Sequence, residues 1–211
     1  MIKKSGRSHP VSAGNPCPFL RALVATGELA DDREPLAKVA AVVAITARAG
    51  DGRPVLSRKA VFAIASMANG WGPLSLIDTQ WHGLKLNALR GGPLDKKGVG
   101  SGILNARGAI DAKEVSRLRG FAKEKPNANG ASELGLGLAE LRAYMDANFA
   151  RATGRRRFID RTLMLGEWPM LLKVMGKDGR GGRYLGLQDV IDLFKSRRFP
   201  ARMNNRLRAG S

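Results

Sequence analysis

The residue with the most distinctive chemistry in this 211-residue chain is its only cysteine, Cys17, which lies between two prolines in the run N-P-C-P at residues 15–18. The proline rings fix φ on both sides, and a residue before a proline is pushed out of the α region. Because proline is favoured at the first helical position, the sequence predicts Cys17 as the N-cap of a helix over 18–26 that ends at Gly27. The dipole and free amides of a helix N-terminus favour a thiolate, which lowers the thiol pKa from its reference of about 8.5. The segment therefore predicts a rigid, anionic sulfur ligand.

A single cysteine also limits the alternatives. It excludes an internal disulfide and any zinc or iron–sulfur site built from several cysteines. A lone cysteine is in many proteins only a small buried hydrophobe, and the sequence by itself leaves that interpretation open.

Residues 16–29, P-C-P-F-L-R-A-L-V-A-T-G-E-L, resemble the N-terminal motif of the haem-thiolate peroxidases, the family of chloroperoxidase and the unspecific peroxygenases. The family pattern runs roughly P-C-P-x-L-N-x-L-A-N-H-G-Y-L. The matching positions are Pro16, Cys17, Pro18, Leu20, Leu23, Gly27 and Leu29. Four positions, Arg21, Ala25, Thr26 and Glu28, depart from it.

The resemblance implies that Cys17 is the axial ligand of a haem b iron, with Pro16, Pro18 and Leu20 beside the cofactor. Thiolate ligation pushes electron density onto iron and favours O–O cleavage. The implied activity is that of a peroxidase or peroxygenase, which uses hydrogen peroxide to oxidise a halide or to oxidise or oxygenate a small organic substrate. The family is mostly helical and forms one domain.

Two further matches lie in the C-terminal half. Family members carry an acid–base glutamate ahead of a closing helix that ends in a segment like S-R-x-P, and the counterparts are Glu167 and the S-R-R-F-P of residues 196–200. A carboxylate over the haem can move the peroxide proton, and burial in an apolar stretch would raise the pKa of Glu167 toward the working range. Arg161 is the predicted orienting arginine. The alternative is a partly exposed Glu167 carboxylate paired with one of the many arginines.

One departure concerns the family's acidic triplet, Glu-His-Asp or Glu-Gly-Asp, which binds magnesium beside a haem propionate. The nearest segment is A-I-D at residues 109–111, which lacks the glutamate and the histidine. Magnesium is therefore doubtful, and a non-catalytic relative that keeps the fold stays open as an alternative. His82 is the only candidate replacement for the missing histidine, since His9 lies in the N-terminal segment.

The chain carries 36 Lys+Arg against 18 Asp+Glu, a formal charge of +18. The largest share falls at 151–211, with 15 basic and 5 acidic residues. Arginines in this region are candidates for holding haem propionates. The alternative is a basic nucleic-acid- or anion-binding protein that uses Arg155–Arg157, Arg197–Arg198 and the tail arginines on phosphates. With 6% aromatic residues, stacking platforms for single strands are scarce, and a solvated basic surface is a third interpretation.

The elements that must position these residues are predicted to be helices. Apolar spacing of three and four predicts helices over about 34–48, from Ser57 to Gly70, near 73–80, after Asp111, over 136–152, over 158–175 with a kink or break at Pro169, and over 187–197. No stretch shows convincing strand alternation. The predicted fold is therefore all-α, a single compact multi-helix domain over 15–200, with a flexible N-terminus at 1–14 and a basic tail at 201–211.

Other classes of protein are disfavoured by the sequence. No apolar run approaches the roughly 20 residues that span a bilayer, and no export signal is visible, so a cytoplasmic location is expected. Two segments have the rhythm of the second half of an EF-hand, but they lack the alternating oxygen ligands that calcium needs.

Overall fold

A computed structural model of the chain describes residues 9–95, 101–152, 158–204 and 206. The prediction of an all-α fold is wrong, because a four-stranded antiparallel sheet and a two-stranded ribbon accompany the helices. The described residues form eight α-helices: α1 (Pro18–Ala25), α2 (Leu36–Thr46), α3 (Arg58–Ser66), α4 (Pro73–His82), α5 (Ala112–Phe121), α6 (Leu138–Ala150), α7 (Phe158–Met175) and α8 (Leu187–Lys195). None of them is both long and apolar enough to cross a membrane.

The helices follow the apolar spacing closely, and local capping explains their starts. The Ser57 side chain accepts a hydrogen bond from the Ala60 amide, and Asp111 accepts bonds from the amides of Lys113 and Glu114. The sequence predicts a kink or a break at Pro169. The break does not occur, because α7 runs continuously through Pro169.

The strands are short and rich in glycine. They are β1 (Arg33–Glu34), β2 (Leu84–Lys85), β3 (Lys123–Pro126), β4 (Ser132–Leu136), β5 (Lys177–Gly179) and β6 (Gly182–Gly186). The larger sheet has the order β3-β4-β6-β5, and β1 pairs with β2. Position 135 requires glycine because the Tyr184 side chain lies against its backbone: an added Cβ would lie 2.4 Å from a ring carbon of Tyr184. Glycine and lysine are poor strand formers, so these strands are held by pairing and escaped detection in the sequence.

The sheet joins two copies of one helix–hairpin–helix arrangement. The first unit is α5-β3-β4-α6 and the second is α7-β5-β6-α8. The hairpins meet through β4 and β6, where Leu136 pairs with Leu185 and Gly135 pairs with Gly186. The matching sequences are L-G-L-A-E-L at 136–141 and L-G-L-Q-D-V at 185–190, a correspondence that becomes visible only once the strands are paired.

Each of the two units carries one acidic side chain at the start of its second helix. A basic side chain binds each of these two carboxylates. Glu140 Oε2 lies 3.0 Å from Lys125 Nζ, and Asp189 Oδ2 lies 2.8 Å from Arg202 Nη2. Burial opposes ionisation of Glu140, but the Lys125 bond and the backbone amides of Gly137 and Glu140 together outweigh it and hold the pKa of Glu140 below its usual range. Ammonium and guanidinium groups therefore neutralise these carboxylates, and the described residues contain no group of three acidic, histidine or cysteine side chains placed to hold a metal.

The core between the two units is aromatic. The Tyr144 ring packs edge-to-face on Phe121 and on Trp168, with ring centroids 5.4 Å and 5.3 Å apart. Trp168 in turn stacks on Phe194 at 6.2 Å. These contacts tie α5, α6, α7 and α8 into one core.

The end of α7 shows where much of the C-terminal positive charge is used. A helix leaves its last four carbonyls without intrahelical donors. Arg183 donates to the Leu172 and Lys173 carbonyls at 3.1 Å each, Arg206 donates to the Val174 carbonyl at 2.9 Å, and Arg202 donates to the Met175 carbonyl. Arg183 lies on β6, and the chain after α8 folds back to make the Arg202 and Arg206 bonds, with a 3-10 helix over Ala201–Met203 whose last residue is fully buried.

Candidate functional site

Cys17 lies at the N-cap of α1, as the sequence predicts. Its backbone is extended, with φ −83° and ψ 113°, and Pro18 begins the helix. The Cys17 amide donates to Asn15 Oδ1 at 3.2 Å, and the Cys17 carbonyl accepts from the Arg21 amide at 3.0 Å. The helix ends before Gly27, whose φ of +77° is the left-handed conformation that glycine adopts readily. The sulfur therefore stands on a short helix fixed at both ends.

The surface around the thiol is half-buried and largely apolar. Pro16, Cys17, Pro18 and Leu20 are all intermediate in exposure, whereas α1 is buried from Arg21 onward. Cys17 forms no disulfide. The Cys17 thiol therefore lies on a partly open, apolar surface at the positive end of a helix.

A buried arginine supports this turn from below. Arg21 is only 2% exposed, and its guanidinium donates to the carbonyls of Ser12 at 2.7 Å, Asn15 at 3.0 Å and Gly108 at 3.1 Å. Burial, followed by the repulsion of Arg197, lowers the pKa of Arg21. Arg21 joins α1, the segment before it and the loop before α5, and places a fixed positive charge close to Cys17.

A second arginine locks the neighbouring loops. Arg90 Nε donates to the Ala13 carbonyl at 3.0 Å, and its Nη2 donates to the Asn105 carbonyl at 3.2 Å. The chain passes so close at Gly14 that an added Cβ would lie 1.8 Å from the Asn87 carbonyl oxygen. We call this meeting of residues 12–21, 87–90, 105–108 and 197–199 the Cys17 junction.

The structure brings the S-R-R-F-P segment to the Cys17 junction. The Phe199 ring packs edge-to-face on Phe19, with the ring centroids 5.0 Å apart. Arg197 has a φ of 52°, unusual for a residue with a side chain, and its charge acts on Arg21. Two motifs from opposite ends of the chain are therefore neighbours.

Several buried polar atoms at the junction have no hydrogen-bond partner among the residues that the structure describes. They are Asn15 Nδ2, Arg21 Nε and Arg197 Nε, together with Oδ1 of the adjoining Asp31, whose Oδ2 accepts from the Ser12 amide at 2.8 Å. Most buried polar atoms in native proteins are paired, so these atoms have hydrogen-bonding capacity that the described residues do not use. Three of the four are donors, and two of those carry positive charge, which suits a carboxylate ligand.

Glu167 and Arg161 are on α7, away from this cluster in the chain. The Glu167 side chain is exposed, although its neighbour Trp168 is buried in the aromatic core. The structure does not supply the burial on which the acid–base role of Glu167 was predicted. Arg161 lies in the first half of α7, and its side chain is outside the described residues, so its role stays a prediction.

The segment matched to the acidic triplet serves a different purpose. Asp111 is the N-cap of α5, and its carboxylate accepts two backbone amides. The loop before it gives the Gly108 carbonyl to Arg21, so this segment does lie at the Cys17 junction, with a guanidinium beside it. His82 is on the exposed side of α4, where its Nδ1 lies 2.8 Å from Asp78 Oδ1.

Only some of the arginines that the sequence offers for phosphate binding are among the residues that the structure describes. Arg202 and Arg206 are committed to backbone carbonyls at the end of α7. Arg155–Arg157 and Arg208 lie outside the described residues. The sequence analysis proposed these arginine clusters as binding residues but did not identify Arg21. The one indication in the sequence was that Arg21 replaces the asparagine of the family pattern within an otherwise apolar helix.

Comparisons of the chain with family models, with curated proteins and with solved structures give no match. The resemblance to haem-thiolate peroxidases therefore rests on the residues of the Cys17 segment and on the position of residues 196–200.

Proposed function

We propose that this chain is a haem-thiolate peroxidase- or peroxygenase-like protein in which Cys17 is the axial ligand. The observation that carries the proposal is the convergence at the Cys17 junction of a thiol on a fixed helix N-terminus with the S-R-R-F-P segment and unpaired buried donors. The proposal places the haem against the half-buried strip of Pro16, Pro18 and Leu20.

The donor set suits the two ends of a haem. A thiolate is a strong axial donor, and a ferric haem bound through it supplies cleavage of the peroxide O–O bond. Guanidinium and amide donors suit the propionate carboxylates. In this proposal Arg197 and Asn15 bind a propionate, and Arg21 maintains the positive charge that a magnesium ion supplies in the family.

Arg21 and the α1 dipole have a second task, which is to hold Cys17 in the anionic form. The buried Arg21 guanidinium is a positive charge that interacts with Cys17, and in this proposal it favours the anionic form of the thiol. In this proposal the haem covers the half-exposed apolar strip of Pro16, Pro18 and Leu20 and shields the sulfur from water. Hydrogen peroxide and a small organic molecule or a halide are the proposed substrates.

Visible spectroscopy of the full chain titrated with haemin tests the proposal. We expect a Soret band at one equivalent, and a strongly red-shifted band for the reduced carbon monoxide complex. Cys17→Ser is the matched variant, because it keeps the shape of the N-cap and removes the sulfur. Since haemin is anionic and the chain carries +18, nonspecific adsorption is expected in both proteins, and only the red-shifted band distinguishes ligation by Cys17. Identical spectra for the two proteins would refute the proposal.

Turnover separates an enzyme from a non-catalytic relative. In the haem-loaded protein, Glu167→Gln is expected to lower the rate of peroxide-dependent dye oxidation by about 10²-fold or more if Glu167 carries the proton. Asp192→Asn, which changes a carboxylate on α8, is the control and is expected to leave the rate unchanged. Equal rates for wild type and Glu167→Gln would remove Glu167 from the mechanism and leave the role of Cys17 intact.

A further inference from the structure

The helix α4 presents its large apolar side chains to solvent. Leu74 and Trp81 are each 82% exposed, and Ile77 is more than half exposed. The spacing of these residues places them on one face of the helix. Trp71, which is also more than half exposed, lies one turn ahead. We call Trp71, Leu74, Ile77 and Trp81 the α4 face.

Of the large apolar side chains of α4, only Leu76 is half-buried and three are exposed, which is the reverse of an ordinary surface helix. Thr79 is the buried residue of α4, and Ser75 is half-buried. Ordinary amphipathic helices direct their apolar stripe at the core. Exposed contiguous apolar patches of this kind mark interaction sites in soluble proteins.

The charge around the α4 face is positive. Helix α4 packs against α3, which carries Arg58 and Lys59, and against β2, which carries Lys85, and neither element has an acidic residue. The acidic residue of α4, Asp78, is bound to His82 at 2.8 Å and to Arg33 and Lys85 at 3.4 Å each. The surroundings therefore attract an anionic partner, and two copies of a chain with a charge of +18 repel each other.

We infer that the α4 face binds the surface of an anionic lipid bilayer. Leu74 and Trp81 protrude from the protein as a ridge, and a ridge inserts between lipid headgroups without a complementary groove. Tryptophan favours the interface between headgroup and acyl chain, where its ring is apolar and its N–H is solvated. Apolar insertion combined with nearby basic charge is the recognised basis of interfacial helix binding. This inference is independent of the haem proposal.

Vesicle flotation with the full chain tests the inference. We expect binding to vesicles of phosphatidylcholine mixed with phosphatidylglycerol, weaker binding to phosphatidylcholine alone, and weakening by salt. The double variant L74S/I77S is expected to reduce the apparent affinity at least about tenfold, because it removes two inserting side chains. L134S/L138S is the matched control, because it removes two exposed leucines from the sheet and from α6, and it should bind like wild type.

Tryptophan quenching by brominated lipids gives an independent readout. Trp71 and Trp81 are expected to be quenched, while Trp168, which is 4% exposed in the core, is spared. Circular dichroism of both double variants is the control for folding, and we expect spectra like that of wild type. The inference is overturned if wild type does not float, if L74S/I77S binds as well as wild type, or if the face instead drives self-association that L74S/I77S abolishes.

Discussion

Arginines are used differently at the end of α7 and at the Cys17 junction. At the end of α7, Arg183, Arg202 and Arg206 donate to the last four carbonyls of the helix. At the Cys17 junction, Arg21 donates to three carbonyls through its Nη atoms, whereas Arg21 Nε, Arg197 Nε and Asn15 Nδ2 are buried without a hydrogen-bond partner among the described residues. The same residue type is therefore structural in one region and available to a ligand in the other.

This difference changes the interpretation of the net charge. Most of the described basic side chains at the end of α7 satisfy backbone groups that would otherwise be unpaired, which stabilises the fold. Net charge alone does not distinguish such residues from ligand-binding ones. Hydrogen-bond partners do: Arg183, Arg202 and Arg206 donate to carbonyls of α7, whereas Arg197 has a buried Nε without a partner among the described residues.

The largest effect on stability is expected for Arg21→Met. The substitution keeps the aliphatic stem and removes three hydrogen bonds to backbone carbonyls, two of them buried, at a cost of about 3 kcal/mol. Urea unfolding measures the change. A loss below about 1 kcal/mol would show that Arg21 does not hold the junction together.

A smaller loss is expected for Arg202→Met at the end of α7. Its guanidinium is partly exposed and binds one carbonyl and Asp189, so the expected cost is about 1 to 2 kcal/mol. The same unfolding experiment compares the two variants directly. If Arg202→Met were the more damaging of the two, the ranking of buried and partly exposed sites would be wrong.

Alkaline pH is expected to weaken the second hairpin. Burial, together with the bond to Glu133 at 2.6 Å, raises the pKa of Tyr184 to about 12. Because the folded pKa is raised, this contribution to stability is fully present below pH 10, the ordinary tyrosine pKa, and is lost as the pH rises through about 12. Burial also raises the pKa of Tyr144, the other tyrosine in the chain.

Tyrosinate absorbance measures this directly. The native protein is expected to show almost no tyrosinate at pH 10, and the urea-unfolded protein to be half titrated there. In Tyr184→Phe, Tyr144 is the only tyrosine left to titrate. Comparison with wild type therefore shows which part of the absorbance change belongs to each tyrosine. A native titration centred on the ordinary tyrosine pKa would contradict the burial and the Glu133 bond.

The smallest effect on stability is expected for Arg197→Met. Its Nε has no partner to lose, so the free energy of unfolding should change by less than about 0.5 kcal/mol. Haem affinity, by contrast, should fall about tenfold, because a charge-assisted bond to a carboxylate is worth about 1.5–3 kcal/mol. If Arg197→Met lowered the stability and left the haem affinity unchanged, Arg197 would stabilise the fold, as Arg202 does, and would not bind haem.

The sequence predicted the helices because their determinants are local. Pro18, Ser57 and Asp111 mark helix starts by their own chemistry, and the apolar spacing gives the lengths. The strands depend on partners far along the chain, such as Gly135 with Gly186, so a single glycine-rich segment carries no sign of them. For the same reason the sequence identified Cys17 but not Arg21, because a buried arginine is stabilised by carbonyls that only the fold brings together.

The most direct test of the haem proposal is the spectrum of the reduced carbon monoxide complex after haemin reconstitution, measured on wild type and Cys17→Ser side by side. Our account predicts a strongly red-shifted Soret band in wild type, the sign of thiolate ligation, and its absence in Cys17→Ser. A wild-type spectrum without that shift, or the same shift in both proteins, would contradict the assignment of Cys17 as the axial ligand.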